Sequence, residues 1–163
     1  MRRAPSTRVG SPDSRRRCGG SGELTEGAFL IDTSAANRIT LPGPFSTWRP
    51  ALAAGRVGMC AATEVEALYS ARSPAQYAQM RQAFADLYVW HEIPDDVWIR
   101  VRAAQSTLAE AGCVRSAGVV DLVLAVTAAR HRLTLLHYDR DFETLAKHID
   151  LRTRWLAEPG SVD

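Results

Sequence analysis

The sequence predicts an α/β fold in which helices cover both faces of a central, mostly parallel sheet. From Ala28 onward, short apolar runs alternate with longer amphipathic segments. Strands separated by helices pair in parallel, because each helix returns the chain to the edge of the sheet at which the previous strand began. The length of 163 residues fits one domain with a substantial core.

Five apolar runs of five to seven residues have the length and composition of buried strands. The first, AFLID, ends in an acidic residue, and the last, LRTRWL, is a candidate edge strand. The predicted strands cover residues 28–32, 57–62, 88–93, 132–138 and 151–156.

The segments between these strands carry signals that favour helix starts. Thr33 or Ser34 can cap the first helix, and Thr63 can cap the third. Ser73 precedes Pro74, and proline is favoured at the first position of a helix. The predicted helices cover residues 33–40, 45–55, 63–72, 73–87, 94–112, 118–131 and 139–149.

Residues 1–27 differ in composition from the rest and are predicted to be a disordered, Arg/Ser/Gly-rich extension. They hold six Arg against three acidic residues, whereas residues 28–163 hold 14 basic and 15 acidic residues. The segment has no apolar periodicity with which to form a packed element. It is either an extension, including one created by an over-long start assignment, or an arm that attracts nucleic acid. The folded domain is expected over residues 28–163.

The sequence predicts a cytoplasmic protein that does not enter a membrane. The N-terminal segment lacks the apolar core of a secretory signal, and no apolar stretch approaches the roughly 20 residues of a membrane span. Cys18, Cys60 and Cys113 are far apart and form no CxxC pair. This spacing argues for a reducing compartment, with no disulfide framework and no zinc site.

Acidic side chains follow three of the predicted strands. Asp32 ends the first strand, and Glu66 lies one turn into the helix after the second. Asp139 follows the fourth strand, with Asp141 two residues later. The carboxyl ends of parallel strands meet at one edge of the sheet, where ligands bind in open α/β folds. Structural alternatives exist, since Thr63 and Glu66 fit a capping box. Asp32 and Asp139 could likewise cap the helices that follow them.

Asp121 has no such structural alternative in the sequence. It lies within the apolar helix GVVDLVLAVTAARH, and the nearest upstream basic residue, Arg115, is six positions away. An isolated ionised carboxylate in apolar surroundings is so costly that it protonates, pairs or binds a metal. If this helix directs its start to the same edge, Asp121 joins acids from three other segments.

A cluster of carboxylates of this kind predicts a site for a divalent cation. Without a cation the like charges would raise one another's pKa values and favour protonation. Oxygen ligands, with no Cys or His at ligand spacing, predict a hard ion such as Mg²⁺ or Mn²⁺. Such a site suits phosphodiester cleavage, because the ion neutralises phosphate charge and lowers the pKa of a bound water.

Four segments resemble, in order and approximate spacing, those of PIN-domain ribonucleases: FLIDTSA, ATEVEALYSA, VRSAGVVDLVLAVTAARH and LLHYDRDFETLA. Across residues 28–156 the sequence most resembles the VapC-type toxins of bacterial toxin–antitoxin pairs. The resemblance implies an α/β/α sandwich and Mg²⁺- or Mn²⁺-dependent endonucleolytic cleavage of RNA. It also implies inhibition by a small cognate VapB-type antitoxin and homodimerisation.

The resemblance also assigns the site. The four family acids fall on Asp32, Glu66, Asp121 and Asp139, which it makes the catalytic residues and metal ligands. Asp141 belongs to the Asp-x-Asp-Phe stretch and could assist without binding the metal directly.

Two further residues are candidates for contacts with RNA or the antitoxin. His137 stands where many relatives have Thr or Ser; it could contact phosphate, act as a pH-sensitive acid, or simply pack in the strand. Arg115 precedes the Asp121 helix and suits bidentate recognition of a phosphate or carboxylate. The alternative for Arg115 is an ordinary surface residue.

Two other functions stand beside the ribonuclease. One is a catalytically inactive PIN-like interaction protein that docks basic partners on its acids, which the complete set of four acids disfavours. The other is a PIN-like nuclease acting on DNA, which the absence of additional nucleic-acid-binding domains disfavours. Residues 67–84 could supply a hydrophobic groove or dimer face, or bury their apolar stripe internally.

Overall fold

The computed structural model describes residues 27–162, in which five parallel strands form one sheet in the order β3-β2-β1-β4-β5. All five predicted strands are present, but each is shorter than the apolar run that predicted it. The strands are β1 (Phe29–Ile31), β2 (Val57–Met59), β3 (Val89–Trp90), β4 (Thr134–His137) and β5 (Arg152–Trp155).

Seven helices connect these strands within the described residues, and each overlaps a predicted helix. They are α1 (Thr33–Ala36), α2 (Pro42–Ala53), α3 (Ala61–Leu68), α4 (Pro74–Leu87), α5 (Val97–Glu110), α6 (Val119–His131) and α7 (Asp141–Leu145). The predicted α/β class, with a central parallel sheet, is confirmed.

Two hydrophobic cores lie on opposite faces of the sheet. Successive strand residues point to opposite faces, so Leu30 enters one core while Phe29 and Ile31 enter the other. The first core is closed by α5, α6 and α7, and the second by α1, α2 and the end of α4. The result is a three-layer α/β/α sandwich.

The central pairing of β1 with β4 brings two distant acids to the same edge of the sheet. Ile31 pairs with Leu136 at the carboxyl ends of these strands. The N–H of Asp32 then donates to the carbonyl of Leu136 at 3.0 Å. Because β4 runs parallel to β1, Asp139 leaves the sheet beside Asp32.

Three helix starts differ from the predicted capping. Asp32, and neither Thr33 nor Ser34, caps α1. Helix α3 begins at Ala61 after Cys60, so Thr63 lies inside it and its hydroxyl donates to the carbonyl of Ile31 at 2.8 Å. Helix α2 begins at Pro42 and not at residue 45 as predicted, because prolines are tolerated in a first helical turn.

Gly58, in the middle of β2, allows the chain after β3 to approach the sheet. A Cβ atom at residue 58 would clash with the ring of His91 and would lie 2.8 Å from the carbonyl oxygen of Val89. The N–H of His91 donates to the carbonyl of Met59 at 2.9 Å. Glycine is therefore required here by close contact and not by backbone conformation.

The predicted N-terminal extension lies, apart from Gly27, outside the described residues, as does Cys18. Cys60 is buried and Cys113 half-buried, and neither forms a disulfide. None of the helices between residues 27 and 162 has the length and apolar character needed to cross a membrane.

Candidate active site

Asp32 is a buried carboxylate at the start of α1. It is 4% exposed, and its two oxygens accept the N–H groups of Ser34 and Ala35 at 3.0 and 2.9 Å. Burial raises its pKa from the ordinary 3.8 to about 6, against the opposing effect of these hydrogen bonds. The charge of Asp139 adds to the rise. Asp32 does cap helix α1, as the structural alternative predicted. The hydrogen bonds of the cap nevertheless do not cancel the energetic cost of burying the ionised carboxylate.

Glu66 lies in the second turn of α3, exposed to solvent, where its carboxylate accepts the hydroxyl of Thr33. The bond of Thr63 to the carbonyl of Ile31 anchors α3 to the end of β1. The capping-box alternative for Thr63 and Glu66 is wrong, because Cys60 occupies the N-cap position. Glu66 is therefore held beside Asp32 through Thr33, the residue that follows Asp32 in the chain.

Asp121 is half-buried at the third position of α6. Its Oδ2 accepts the N–H of Gly118 at 2.7 Å, which is half of a capping box. The sequence argument that Asp121 has no structural role is therefore wrong. Burial nevertheless raises its pKa, and the charges of Glu66, Asp139 and Asp141 raise it further.

Asp139 and Asp141 lie in the exposed turn between β4 and α7. Asp139 Oδ1 accepts the N–H of Asp141 at 3.0 Å, so it also contacts the first residue of α7. The pKa of Asp141 is raised by partial desolvation and by the charge of Asp139. Both carboxylates thus lie within electrostatic reach of Asp121.

These five acids, which we call the acidic rim, come from four distant segments of the chain and act on one another. Three have raised pKa values, and no Lys or Arg side chain within residues 27–162 contributes to any of those shifts. The rim comprises Asp32, Glu66, Asp121, Asp139 and Asp141.

The acidic rim is not a closed ligand set. In the part of the chain that the structure describes, no three His, Cys, Asp or Glu side chains converge closely enough to hold an ion as they stand. Like charges repel, and the carboxylates of Asp32, Asp121 and Asp139 are hydrogen-bonded to their own segments. Mg²⁺ retains several waters and needs only one or two direct carboxylate ligands, so an open set of acids suits it. Because the rim combines oxygen donors with raised pKa values, and no basic side chain among the described residues contributes to those shifts, its residues fit a hard divalent cation.

His137 ends β4 and is completely buried, with 0% of its surface exposed. Its ring lies against the rings of Phe142 and Trp155. Burial lowers its pKa, although the carboxylate of Glu143 opposes the shift. A ring in this position has no surface with which to contact RNA or an antitoxin, so the structure favours the packed-strand alternative.

Residues 29–148 match the sequence profile of the PIN domain. The chain belongs to the PIN-domain family. Two curated PIN-domain relatives come from Mycobacterium tuberculosis. Ribonuclease VapC21 is 32% identical over 133 residues, which cover 82% of this chain and 96% of the relative. Ribonuclease VapC6 is 39% identical over 99 residues, which cover 60% of this chain and 78% of the relative.

Solved structures share the PIN-domain fold. DNA-bound VapBC from Salmonella typhimurium superposes with a TM-score of 0.67 at 17% identity, over 80% of this chain and 99% of that one. VapBC-5 from Mycobacterium tuberculosis has a TM-score of 0.57 at 23% identity, over 79% and 98% of the two chains. At these identities the likeness concerns the fold.

Arg115 is exposed in the loop between α5 and α6 of the PIN domain. It lies three residues before Gly118, whose N–H is bound by Asp121. Its guanidinium is thus on the segment that leads into the acidic rim and is free to reach solvent. Both alternatives for Arg115, a contact residue and an ordinary surface residue, are compatible with this exposure.

Several residues that organise the PIN-domain site were not found from the sequence. Thr33 holds Glu66, Gly118 holds Asp121, and Glu143 holds His137. The Gly118–Asp121 spacing is a helix-capping signal that could have been recognised, since the acid lies three residues after a helix-start residue. Thr33 and Glu66 are 33 residues apart, and only the folded sheet brings them together.

Proposed function

We propose that this protein is a divalent-metal-dependent endoribonuclease and the toxin of a VapBC-type toxin–antitoxin pair. The observation that carries the proposal is the acidic rim, in which carboxylates come from four segments and burial and neighbouring acids raise the pKa values of Asp32, Asp121 and Asp141. The VapC ribonucleases among its relatives support the same activity.

Four residues, Asp32, Glu66, Asp121 and Asp139, would hold Mg²⁺ or Mn²⁺, with Asp141 assisting. The bound ion would supply charge neutralisation at the phosphate and a lowered pKa for an attacking water. The chain's own contribution is to orient these carboxylates. With a pKa of about 6, Asp32 is mostly ionised at neutral pH in spite of its burial.

The hydrogen bonds around the rim restrict where each carboxylate can move. Asp32 is fixed on both oxygens by the start of α1. Asp121 uses only Oδ2 for Gly118, which leaves Oδ1 to face a ligand. Glu66 is bonded to a hydroxyl, a neutral group that leaves its full charge available. The rim can therefore orient a hydrated ion and the water that attacks the phosphate.

RNA is the substrate that we favour over DNA, because the curated relatives are named ribonucleases. An inactive interaction protein is not favoured, because all four family acids are present and four segments converge on the rim. We assign Arg115 to contact RNA phosphate or an antitoxin carboxylate, since it is exposed on the loop before Asp121.

A VapB-type antitoxin and a second copy of the chain are the proposed protein partners. Solved neighbours with this fold are VapBC complexes. Exposed apolar side chains on α3 and α4 suit such contacts: Val65 is 67% exposed, Tyr69 94% and Tyr77 45%. Within residues 67–84, Ala67 and Leu68 are buried and Phe84 packs against the second core, whereas helix α4 buries no residue fully, so part of the stripe stays accessible. The unpaired Cys60 and Cys113 agree with a cytoplasmic setting.

The test uses purified protein, freed of any bound partner and incubated with total RNA and Mg²⁺ or Mn²⁺. We expect discrete cleavage that EDTA abolishes, with cut sites located by sequencing RNA ends. Asp121→Asn should reduce cleavage at least about 100-fold, because the amide keeps an acceptor for Gly118 and removes the charge. Asp150→Asn, an exposed acid outside the rim, is the matched control and should cleave normally.

Metal-independent cleavage, or full activity in Asp121→Asn, would contradict the proposal. A folded protein that cuts DNA but leaves RNA intact would support the alternative function, a PIN-like nuclease that acts on DNA.

A further inference from the structure

We propose that His137 is a positioning residue that fixes the main chain of Asp139 through a hydrogen-bonded network with Glu143 and Thr153. The inference rests on the proposed function, because it takes Asp139 to be a metal ligand. It assigns to a buried histidine a role in metal binding that involves no contact with metal or RNA.

The partners of the ring assign its tautomer. The N–H of Asp139 donates to His137 Nδ1 at 3.3 Å, so Nδ1 carries no hydrogen. The proton of the neutral ring is then on Nε2, which donates to Glu143 Oε1 at 3.1 Å. Both ring nitrogens are occupied, and the ring links the turn that holds Asp139 to helix α7.

Glu143 connects this link to a second strand. The same Oε1 atom accepts the hydroxyl of Thr153 at 2.8 Å, and Thr153 lies on β5. β5 pairs with β4 so that His137 is opposite Trp155. The network therefore joins β4, β5 and α7 around the three-residue turn in which Asp139 is exposed.

Packing restricts the ring as tightly as the hydrogen bonds do. The ring centroid of His137 lies 4.8 Å from that of Trp155 and 5.4 Å from that of Phe142. A ring held on two sides and bonded at both nitrogens cannot rotate without breaking both bonds. The N–H of Tyr138 donates to Ser34 Oγ at 2.8 Å and the N–H of Asp141 to Asp139 Oδ1 at 3.0 Å, but the main-chain N–H of Asp139 itself is bonded to His137.

Groups that orient metal ligands from behind change metal affinity about 10- to 100-fold when removed. A histidine that only fills space would instead change the stability of the fold and leave metal affinity unchanged. The two roles are separable by measuring both quantities on the same variants.

Three substitutions at His137 separate the effects of the two hydrogen bonds that its ring makes. His137→Asn places an amide oxygen near the position of Nδ1, so it can still accept the N–H of Asp139. His137→Gln places an amide nitrogen near Nε2, so it can still donate to Glu143 but loses the Asp139 bond. His137→Leu keeps apolar contacts and loses both bonds. Leu108→Ala is the control, because it removes a fully buried side chain from α5, a helix that contributes no hydrogen bond to this network.

The experiment titrates Mn²⁺ calorimetrically into each full-length protein without RNA, well below the melting temperature of the weakest variant. We expect His137→Gln and His137→Leu to weaken Mn²⁺ binding about 10-fold or more, and His137→Asn to stay within about threefold of the wild type. Leu108→Ala should lower the melting temperature and leave the affinity unchanged. In RNA cleavage, the half-saturating Mn²⁺ concentration should rise in the first two variants while the rate at saturating Mn²⁺ changes little.

Unchanged Mn²⁺ affinity in His137→Gln and His137→Leu, with normal binding by the wild type, would overturn the positioning role alone. Equal weakening in His137→Asn and His137→Gln would also overturn it, because the Asp139 bond would then not be the operative contact. A wild-type protein that binds no Mn²⁺ would overturn the proposed metal site itself, and the inference with it.

Discussion

At the scale of single residues, the buried charge of Asp32, which the proposed metal site needs, lowers the stability of the fold. Its pKa is raised from 3.8 to about 6, which at about 1.4 kcal/mol per unit corresponds to a cost of roughly 3 kcal/mol for the ionised form. Asparagine caps helices as well as aspartate, but it can accept only one of the two N–H groups, which offsets about 1 kcal/mol. We therefore expect Asp32→Asn, in EDTA at pH 7.5, to increase the free energy of unfolding by about 2 kcal/mol while abolishing metal-dependent cleavage.

The pH dependence of this gain follows from the direction of the shift. The folded state retains the Asp32 proton up to about pH 6, whereas the unfolded chain releases it near pH 3.8. The wild type loses about 3 kcal/mol as pH rises through this interval, so the variant should be about 1 kcal/mol less stable than the wild type below pH 4 and about 2 kcal/mol more stable above about pH 7. Urea denaturation at several pH values measures it. An advantage that is constant with pH would argue against an ionised, buried Asp32.

The sequence located the rim acids but misjudged how they are held. Asp121 was singled out because no side-chain partner is near it in the sequence, yet its partner is the main-chain N–H of Gly118. The only signal for this partner is the three-residue spacing from Gly118, the residue at which the helix starts, to Asp121. Thr63 was assigned as a cap, whereas it is a buried anchor to Ile31, a contact that depends on how α3 packs on β1.

At the scale of elements, Gly58 controls how closely the segment after β3 packs on β2. Gly58→Ala would push a methyl group against the His91 ring and the carbonyl of Val89, so we expect a loss of about 2 kcal/mol in the free energy of unfolding. Gly43→Ala is the matched control, because it lies in α2 with nothing within 4 Å of the new Cβ. That control should be neutral or stabilise by up to about 1 kcal/mol.

Chemical denaturation followed by circular dichroism compares the two glycine variants. Equal free energies of unfolding for the two variants would mean that His91 moves aside at no energetic cost. That result would contradict the requirement for glycine at residue 58.

Strand positions were predictable, but strand lengths were not. The apolar run 88–93 suggested six strand residues, and only Val89 and Trp90 pair in the sheet. After these two residues the N–H of His91 still donates to the carbonyl of Met59, and its ring packs over Gly58. Val89 and Trp90 are 43% and 46% exposed, so the run did not report a buried strand, and its composition does not show where pairing stops.

At the scale of the whole molecule, a bound ion should stabilise the PIN domain. An ion at 100 times its dissociation constant contributes about 2.7 kcal/mol to the free energy of unfolding. We expect Mn²⁺ or Mg²⁺ to raise the melting temperature at pH 7.5, and to raise it less at pH 5. At pH 5 the proton on Asp32 must be displaced before a metal can bind.

Differential scanning fluorimetry with and without EDTA measures this shift. Asp121→Asn should melt at the same temperature in both conditions, and Asp150→Asn should behave like the wild type. A shift that is the same at both pH values, or that persists in Asp121→Asn, would place the ion away from the acidic rim.

The order of the strands has a consequence for the time at which the protein becomes active during its synthesis. β1 lies between β2 and β4, and Phe29 pairs with Thr134, which the ribosome adds about 100 residues later. Asp32 and Asp139 therefore come together only after β4 has been made and has paired with β1. A nascent chain that has emerged as far as α5 contains only two of the five rim acids. The ribosome that makes this nuclease is thus not exposed to a finished cutting site until α6, β4 and the turn after β4 have been made.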